Sequence, residues 1–483
     1  MRISLALLLA PLALSAQQQP LTLTLQDAIS LAQQKGPSAQ VARSTRDAAR
    51  WRDQSFNARL LPQVSLNGNA ANLDRGINPI TLPDGSTQFV SQAQNQSSLG
   101  LTVSQRIPLT GGTLSVGSAV SRIDLFGDRT NKYWQTTPVI IRLQQDLFRP
   151  RGFVWDQKVQ NLNASVAERQ YLEAREDVAG TAAAAFFDLY AAQRGFDNAT
   201  ANVSVNDTLY TLNTGRFEVG KIGETELLKS ERALLRSRAA LDDARLTRDR
   251  AEATLRRTLD IPATQQLTIV APDSIPVVDA DPEVAVQMAL KNSSIMEQGE
   301  LDGVQTKRRI TEAKLNNRFN AQIAASVGFN QTASVFGQAY QSPLGKQQLQ
   351  VGVNMPMIQW GAGRADLEEA KANEQRAIAN NKTRRDALVE DARFSVLELQ
   401  KAQRNVVIAV KADTVAAKQF EVARNRYTIG KIPMLDLFTA QNEKDNAVIA
   451  RVQALRAYWT AYYRLRRVTL YDFATKQEMT DVR

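Results

Sequence analysis

Cysteine and histidine are both absent from this chain of 483 residues. Their absence removes disulfides, thiolate nucleophiles, imidazole bases and most transition-metal sites, so catalysis starts from a poor inventory. Also missing beyond the N-terminus is any run near the roughly 20 apolar residues that a spanning helix needs. The nearest, Thr181 to Ala192, is short, rich in alanine and broken by Asp188. A chain of this kind crosses a membrane with strands or not at all. There is no basic arm and no aromatic stacking platform, and the net charge of +10 is spread along stretches that also carry acids, so nucleic acid is not an expected partner. Gly220-Lys221 and Gly430-Lys431 are each followed by isoleucine where a phosphate-binding loop needs a hydroxyl residue, and the second also has Asn425 in place of the preceding glycine. No metal, cofactor or catalytic residue is expected.

Residues 1–16 read as an export signal: Arg2 is the positive end, Ile3 to Leu14 is apolar, and Ser15 and Ala16 are small. Cleavage after either small residue is compatible with the pattern. With no cysteine to acylate, membrane attachment is expected to come from the folded protein.

The chain is written twice. Arg216-Phe217-Glu218-Val219-Gly220-Lys221-Ile222 returns 210 positions on as Arg426-Tyr427-Thr428-Ile429-Gly430-Lys431-Ile432, and Glu226-Leu227-Leu228 returns as Asp436-Leu437-Phe438. The same offset carries Ile141 onto Val351, Leu143 onto Val353 and Leu189 onto Leu399. Such self-similarity dictates architecture: each half holds the same order of elements. Nearer the start the offset is 257, because Ala28 to Ala32 resembles Ala285 to Ala289. The first half therefore carries 47 extra residues between its opening helix and Ile141.

From Asp156 to Asn213, and again from Ala365 to Asn425, there is no proline and hardly any glycine. These stretches predict long helices, the first of about 58 residues and roughly 87 Å. Val178, Ala182, Ala185, Leu189, Ala192, Phe196, Ala199 and Val203 keep the four-three spacing of a coiled-coil seam. Leu388, Ala392, Leu399, Ala402, Val406 and Ala409 repeat it, with Ser395 and Asp413 as interruptions. Each long helix reaches a Gly-Lys-Ile turn and returns through a second helix, Glu224 to Leu259 or Leu435 to Arg466.

Between the helices the period changes to two. Alternation marks six strands, around Val64, Leu101, Val116, Ile141, Val327 and Val351. Ala71 to Gln96, Asp124 to Thr137 and Thr332 to Gly345 read as long polar loops, and Thr110-Gly111-Gly112 as a tight turn. The pattern fits either an ordinary half-buried sheet or the apolar-out, polar-in code of a membrane barrel; the alternation of long loops and tight turn favours the barrel. Six strands are too few to close one, so several copies are expected to share it.

These residues resemble the TolC-like outer-membrane efflux proteins. The resemblance rests on the duplicated Arg-aromatic-x-x-Gly-Lys-Ile turn, the strand ends Val103 to Pro108 and Val353 to Pro356, and the opening Ala-x-x-x-Ala helices. It implies an α+β membrane protein and no enzyme: a homotrimer whose transmembrane β-barrel, in the outer-membrane lipid, continues into a long periplasmic helical coiled-coil barrel, with two structural repeats per protomer. In that frame residues 1–16 are the signal, 17–60 the opening helix, 61–150 the first strands with an extra hairpin, 151–260 the first helical hairpin and 261–282 a connector. The second half runs as 283–318, 319–360 and 361–467, and 468–483 is a closing equatorial segment. Barrels of 12 and 18 strands both remain open.

The resemblance further implies a periplasmic adaptor (membrane fusion protein) and an inner-membrane pump as partners, the chain being the outer-membrane duct of a tripartite efflux or type I secretion system. Val219, Gly220, Lys221, Ile429, Gly430 and Lys431 match the tip motifs where adaptors dock, and Tyr427 matches the aromatic residue there. Asp436 matches an acid that rings the closed mouth, Glu226 is its counterpart in the first repeat, and the further acid of some relatives is Thr439 here. Arg216 or Arg426 is expected to hold the tip closed by pairing with nearby acids. The plainer role of Asp436 is that of a first-turn acid facing its helix dipole. The alternative for the whole chain is a trimeric coiled-coil surface protein or adhesin without transport activity.

Overall fold

A computed structural model describes residues 21–126, 130–272 and 274–479. The expected signal, residues 1–16, lies outside the described residues. Strand β1 (Leu21–Thr24) leads into α1 (Leu25–Lys35) and α2 (Pro37–Ala58). Five strands follow: β2 (Gln63–Asn69), β3 (Leu73–Thr81), β4 (Thr87–Arg106), β5 (Thr113–Phe126) and β6 (Asn131–Asp146). A helical hairpin, α3 (Gly152–Glu218) and α4 (Glu224–Leu259), precedes β7 (Leu267–Val270). The second half runs through α5 (Pro282–Asn292), α6 (Ser294–Asn316), β8 (Asn320–Ala333), a 3-10 turn at Gly337–Tyr340 and β9 (Leu344–Asn354). It ends with α7 (Ala362–Thr428), α8 (Met434–Thr469) and the short pair β10 (Tyr471–Asp472) and β11 (Gln477–Glu478).

The long helices outrun their expected ends. α3 and α7 are each 67 residues, about 100 Å of helix, and α4 and α8 are each 36. Gly215 does not stop α3, because a single glycine weakens a helix without forbidding it.

The chain divides into two compact units. The first draws its described residues from Met1–Arg46, Glu168–Ser294 and Arg385–Arg483. Its core gathers Phe186, Phe187, Leu255, Leu259, Leu399, Tyr458 and Leu465, all essentially without solvent contact. The seam residues Val178, Ala182, Ala185 and Leu189 are buried here, as are Leu388, Ala392, Leu399, Ala402 and Val406. Both interruptions are accommodated. Ser395 is buried and its hydroxyl donates to the Ala392 carbonyl, while Asp413 pairs with Arg451 at 3.1 Å.

The opening stretch, expected as one helix, is two. Thr24 and Asp27 form a reciprocal cap at the start of α1, and the break comes at Gly36-Pro37. A Cβ on Gly36 would stand 2.5 Å from the Ala32 carbonyl oxygen and 2.8 Å from that of Thr258, so no side chain fits where α1 turns against α4. The connector is also more ordered than its prolines suggest. Its β7 pairs in parallel with β1, Leu21 against Leu267.

A charged residue is sealed into this unit. Glu176 is 1 % exposed and faces Arg466 at 2.9 Å; Arg466 also reaches Asp472 at 3.3 Å, whose carboxylate accepts from the Tyr462 hydroxyl at 3.0 Å. Burial pushes the Glu176 carboxyl above the usual range, and Arg466 and then Arg175 pull it back.

The second unit, from Asp47–Ala167 and Ile295–Arg384, carries an antiparallel sheet in the order β2-β4-β5-β6-β8-β9, with β3 paired to the outer part of β4. Register explains its two faces. Val64, Val103, Val116, Ile141 and Val327 are successive partners across five strands and form one apolar row. One residue along, on the other face, Gln63, Ser104, Ser115, Arg142, Ser326 and Gln348 form a polar row across six. Leu66 with Leu101, and Leu143 with Ala325 and Leu349, widen the apolar face into a belt that is exposed in the protomer. Aromatic residues edge it: Trp134, Phe336 and Tyr340 meet edge to face in series at one end, and Phe148 meets Phe319 at 5.6 Å at the other.

Two expectations are corrected. Ala71 to Gln96 and Asp124 to Thr137, expected as loops, are largely strand, because β3, β4, β5 and β6 run well past the belt. Only the belt needs apolar side chains, whereas the hydrogen-bonded ladder continues through Gln, Asn, Ser and Thr. The hairpin around Thr110-Gly111-Gly112 lies in the sheet, β4 directly beside β5.

Removing one partner of the buried pair leaves the other charge stranded, which costs about 3–5 kcal/mol. Glu176→Ala is therefore expected to lower the melting temperature of the purified protein markedly. Because the folded state raises the carboxyl's affinity for protons, wild type should lose stability relative to Glu176→Gln as the pH rises from about 4 to about 7. Differential scanning measurements of the two proteins across that range read the sign directly.

Candidate functional site at the paired helical turns

The two Gly-Lys-Ile turns are closed by the same main-chain device. After α3, the Lys221 amide donates to the Arg216 carbonyl at 2.8 Å and the Gly220 amide to that of Phe217 at 2.9 Å. After α7, Lys431 donates to Arg426 and Gly430 to Tyr427, both at 2.9 Å. This six-to-one and five-to-two pattern is a Schellman cap, which requires a left-handed residue at its centre. Gly220 has φ +71° and Gly430 +75°, which explains both glycines without any bound phosphate.

Identical turns carry different side-chain contacts. Tyr427 is 6 % exposed and packs with Leu209, Met434 and Leu437, with Phe420, Ile432 and Phe438 around them. Its hydroxyl donates to Asn213 Oδ1 at 3.2 Å, and Asn213 is itself buried. Arg216 lies 5.6 Å from the Tyr427 ring and donates to the Thr428 carbonyl at 3.1 Å. These contacts tie the end of α3 to the end of α7. The repeat-related residues, one in each turn, stand free: Phe217 beside Arg216 is 41 % exposed, and Arg426 beside Tyr427 is exposed with no side-chain partner among the described residues.

Arg216 thus works through a carbonyl and a ring, where an acid was expected. Asp436 is exposed in the first turn of α8 and has no side-chain partner among the described residues. Glu226, in the first turn of α4, pairs with Lys229 at 3.6 Å. No contact joins Glu226 to Asp436 among the described residues. Val219 and Ile429 present exposed apolar side chains beside the exposed Lys221 and Lys431. Asn213 and the Thr428 carbonyl were missed in the sequence, since the 210-residue offset sets Ala423 opposite Asn213 and nothing local marks either residue. The one available signal was the change from Phe217 to Tyr427, which adds a hydroxyl that burial obliges to find a partner.

Comparison with known proteins places the chain. The family model of the outer membrane efflux protein matches residues 92–259 and 285–469, well over half of its length. The chain belongs to this family, whose fold is that of outer-membrane channels and not of enzymes. It is similar to the Campylobacter jejuni CmeC outer membrane channel, at 16 % identity and TM-score 0.68, covering 95 % of this chain and 87 % of that one. The Vibrio cholerae outer membrane protein VceC superposes with TM-score 0.65 at 15 % identity, over 92 % of this chain and 95 % of the other. A curated relative, toxin and drug export protein A of Aggregatibacter actinomycetemcomitans, is 22 % identical over 244 residues; the match covers 50 % of this chain and spans about half of the relative's length, 52 %.

A methyl group on Gly430 meets no neighbour but forces an alanine into the left-handed region, at a cost of about 1–2 kcal/mol. Gly430→Ala is expected to accelerate amide exchange around 427–436. Gly215→Ala, at a helical glycine with equal space, should leave exchange unchanged or slow it.

Proposed function

We propose that three copies of this chain form the outer-membrane duct of a tripartite efflux or type I secretion system, passive and gated at the helical turns. The observation that carries the reading is the open sheet, apolar along one face and polar along the other, with β2 and β9 left at its edges. Open edges are not tolerated in lipid. If β9 of one copy pairs with β2 of the next, three copies give roughly 18 strands, the size at which porin barrels enclose a water-filled channel. The extra hairpin of the first half then enlarges the barrel. The recurrence of a 67-residue helix and a 36-residue partner supports two structural repeats that build one helical tube.

Gating follows from the asymmetric tip. In the closed state Arg216 and the Tyr427–Asn213 bond hold the α7–α8 hairpin against α3, and opening separates them. A hydrogen bond from a charged donor contributes about 1.5–3 kcal/mol, a barrier that a docking partner can offset. Asp436 from three copies rings the mouth; carboxylates about 6 Å apart repel by roughly 3 kcal/mol per pair at an effective dielectric of 20, which favours a cation between them. Glu226, neutralised by Lys229, contributes less. A periplasmic adaptor docks on Val219, Lys221, Ile429 and Lys431, and an inner-membrane pump selects the cargo, a division of labour compatible with the toxin and drug export named for the curated relative.

Single-channel recording in planar bilayers tests this. Wild type should give a small cation-selective current. Asp436→Ala should lose the cation preference, and Arg216→Ala should raise the conductance or open probability. A trimer by native mass spectrometry that never conducts would overturn the duct, and a stable folded monomer would overturn the shared barrel.

A further inference from the structure

Where β9 returns to the helices, the chain 355–360 carries Met355, Met357, Ile358 and Trp360, all exposed, with Trp360 at 95 %. A tryptophan left in water is unusual, and this one is also held at φ +48°, followed by Gly361 at +88°. Directly beside it lies a cavity of about 310 Å³ lined by Lys314, Arg318 and Arg364 together with Asn317, Gln359 and Leu367.

No carboxylate lines the cavity, and none of its three cations has an ion-pair partner among the described residues. The nearby acids make their ion pairs with other cations, Glu312 with Arg308 at 2.7 Å and Glu368 with Lys371 at 2.8 Å, and Glu368 feels Arg364 only as a weaker charge beyond Lys371. The floor is rigid. Asn317 donates to the Ala313 carbonyl at 2.9 Å, and a Cβ on Gly363 would stand 2.7 Å from both Asn317 Cγ and Gln359 Oε1, so the start of α7 packs against the end of α6 with no room for a side chain.

We propose that this junction is a binding site for one anionic glycerophospholipid of the leaflet on the helix side of the barrel. The inference rests on the barrel reading above. Lys314, Arg318 and Arg364 hold the phosphate, and the acyl chains lie along Met357, Ile358 and Trp360, which continue the apolar face of β9 through Val353 and Val351. Tryptophan with basic side chains next to an apolar belt is the composition of a membrane interface, and a basic pocket at that depth recognises charged head groups. A free anion would explain the cations but not the exposed apolar loop. A zwitterionic lipid would explain the loop but leave surplus positive charge. Charge complementarity therefore selects the anionic lipid.

The test uses the full-length protein in two measurements. By native mass spectrometry from neutral detergent, wild type should retain dioleoylphosphatidylglycerol in preference to dioleoylphosphatidylcholine. Replacing Lys314, Arg318 and Arg364 by Gln one at a time should weaken that retention about fivefold for each cation removed. Equal retention of the two lipids, no loss in the Gln variants, or displacement of the lipid by millimolar inorganic phosphate would overturn the proposal. In vesicles containing brominated phosphatidylglycerol, Trp360→Phe should remove a quenched component of the tryptophan emission; an unchanged quenching fraction would overturn it even if the charge variants failed to fold. Channel currents recorded from the same preparations separate the two failures. Conducting protein with no lipid preference sinks this site alone, and protein that never enters the bilayer sinks the barrel.

Discussion

A hydrogen-bonded ladder with open ends is the constraint on which the rest of this molecule depends. Along the path β2-β4-β5-β6-β8-β9 the ladder is open at the outer edges of β2 and β9, which neighbouring copies would cover in the proposed barrel, since lipid does not tolerate open edges. In that proposal the protomer is an incomplete object whose two edges complete those of its neighbours. Register does the remaining work: a slip of one residue would exchange the row Val64-Val103-Val116-Ile141-Val327 with the row Gln63-Ser104-Ser115-Arg142-Ser326 and so swap the apolar face for the polar one. Antiparallel pairing and short turns make that slip costly.

A second tension lies between duplication and use. The two halves share helix lengths and Schellman-capped turns, yet only one Arg-aromatic pair is engaged. Tyr427 is buried against Asn213 and gripped by Arg216, while Phe217 and Arg426 stand in solvent. A duplicated scaffold supplies the same backbone twice, and a few side chains, Arg216 and Asn213 from one copy and Tyr427 from the other, fasten the two together.

Much of this was legible because its causes are periodic. The seam through Val178, Ala182, Ala185 and Leu189 and the alternation through Leu99, Leu101 and Val103 each answer to one neighbouring surface, so spacing alone reveals them. The strand ends beyond the belt were not legible, because the hydrogen-bonded ladder itself places no demand on side-chain polarity. Glu176 was hidden for the opposite reason. It stands in Glu173-Ala174-Arg175-Glu176-Asp177, which reads as a solvated face, and its partner Arg466 is 290 positions away. The Tyr427–Asn213 bond, across 214 positions, was invisible for the same cause. Site residues defined by a local motif could be named from the sequence, whereas those defined by a distant partner could not.

The turns close on main-chain amides and a glycine, and neither turn uses the side chains of Val219, Lys221, Ile429 or Lys431 for its cap. Those four positions carry no folding duty. Substitutions there alter the chemistry of the presented surface while the helices beneath keep their geometry, so that, if the proposed adaptor docks here, recognition is free to drift and to co-evolve with it. A scaffold built this way separates heritable specificity from stability, and it can acquire a new partner through a handful of surface changes without passing through a misfolded intermediate.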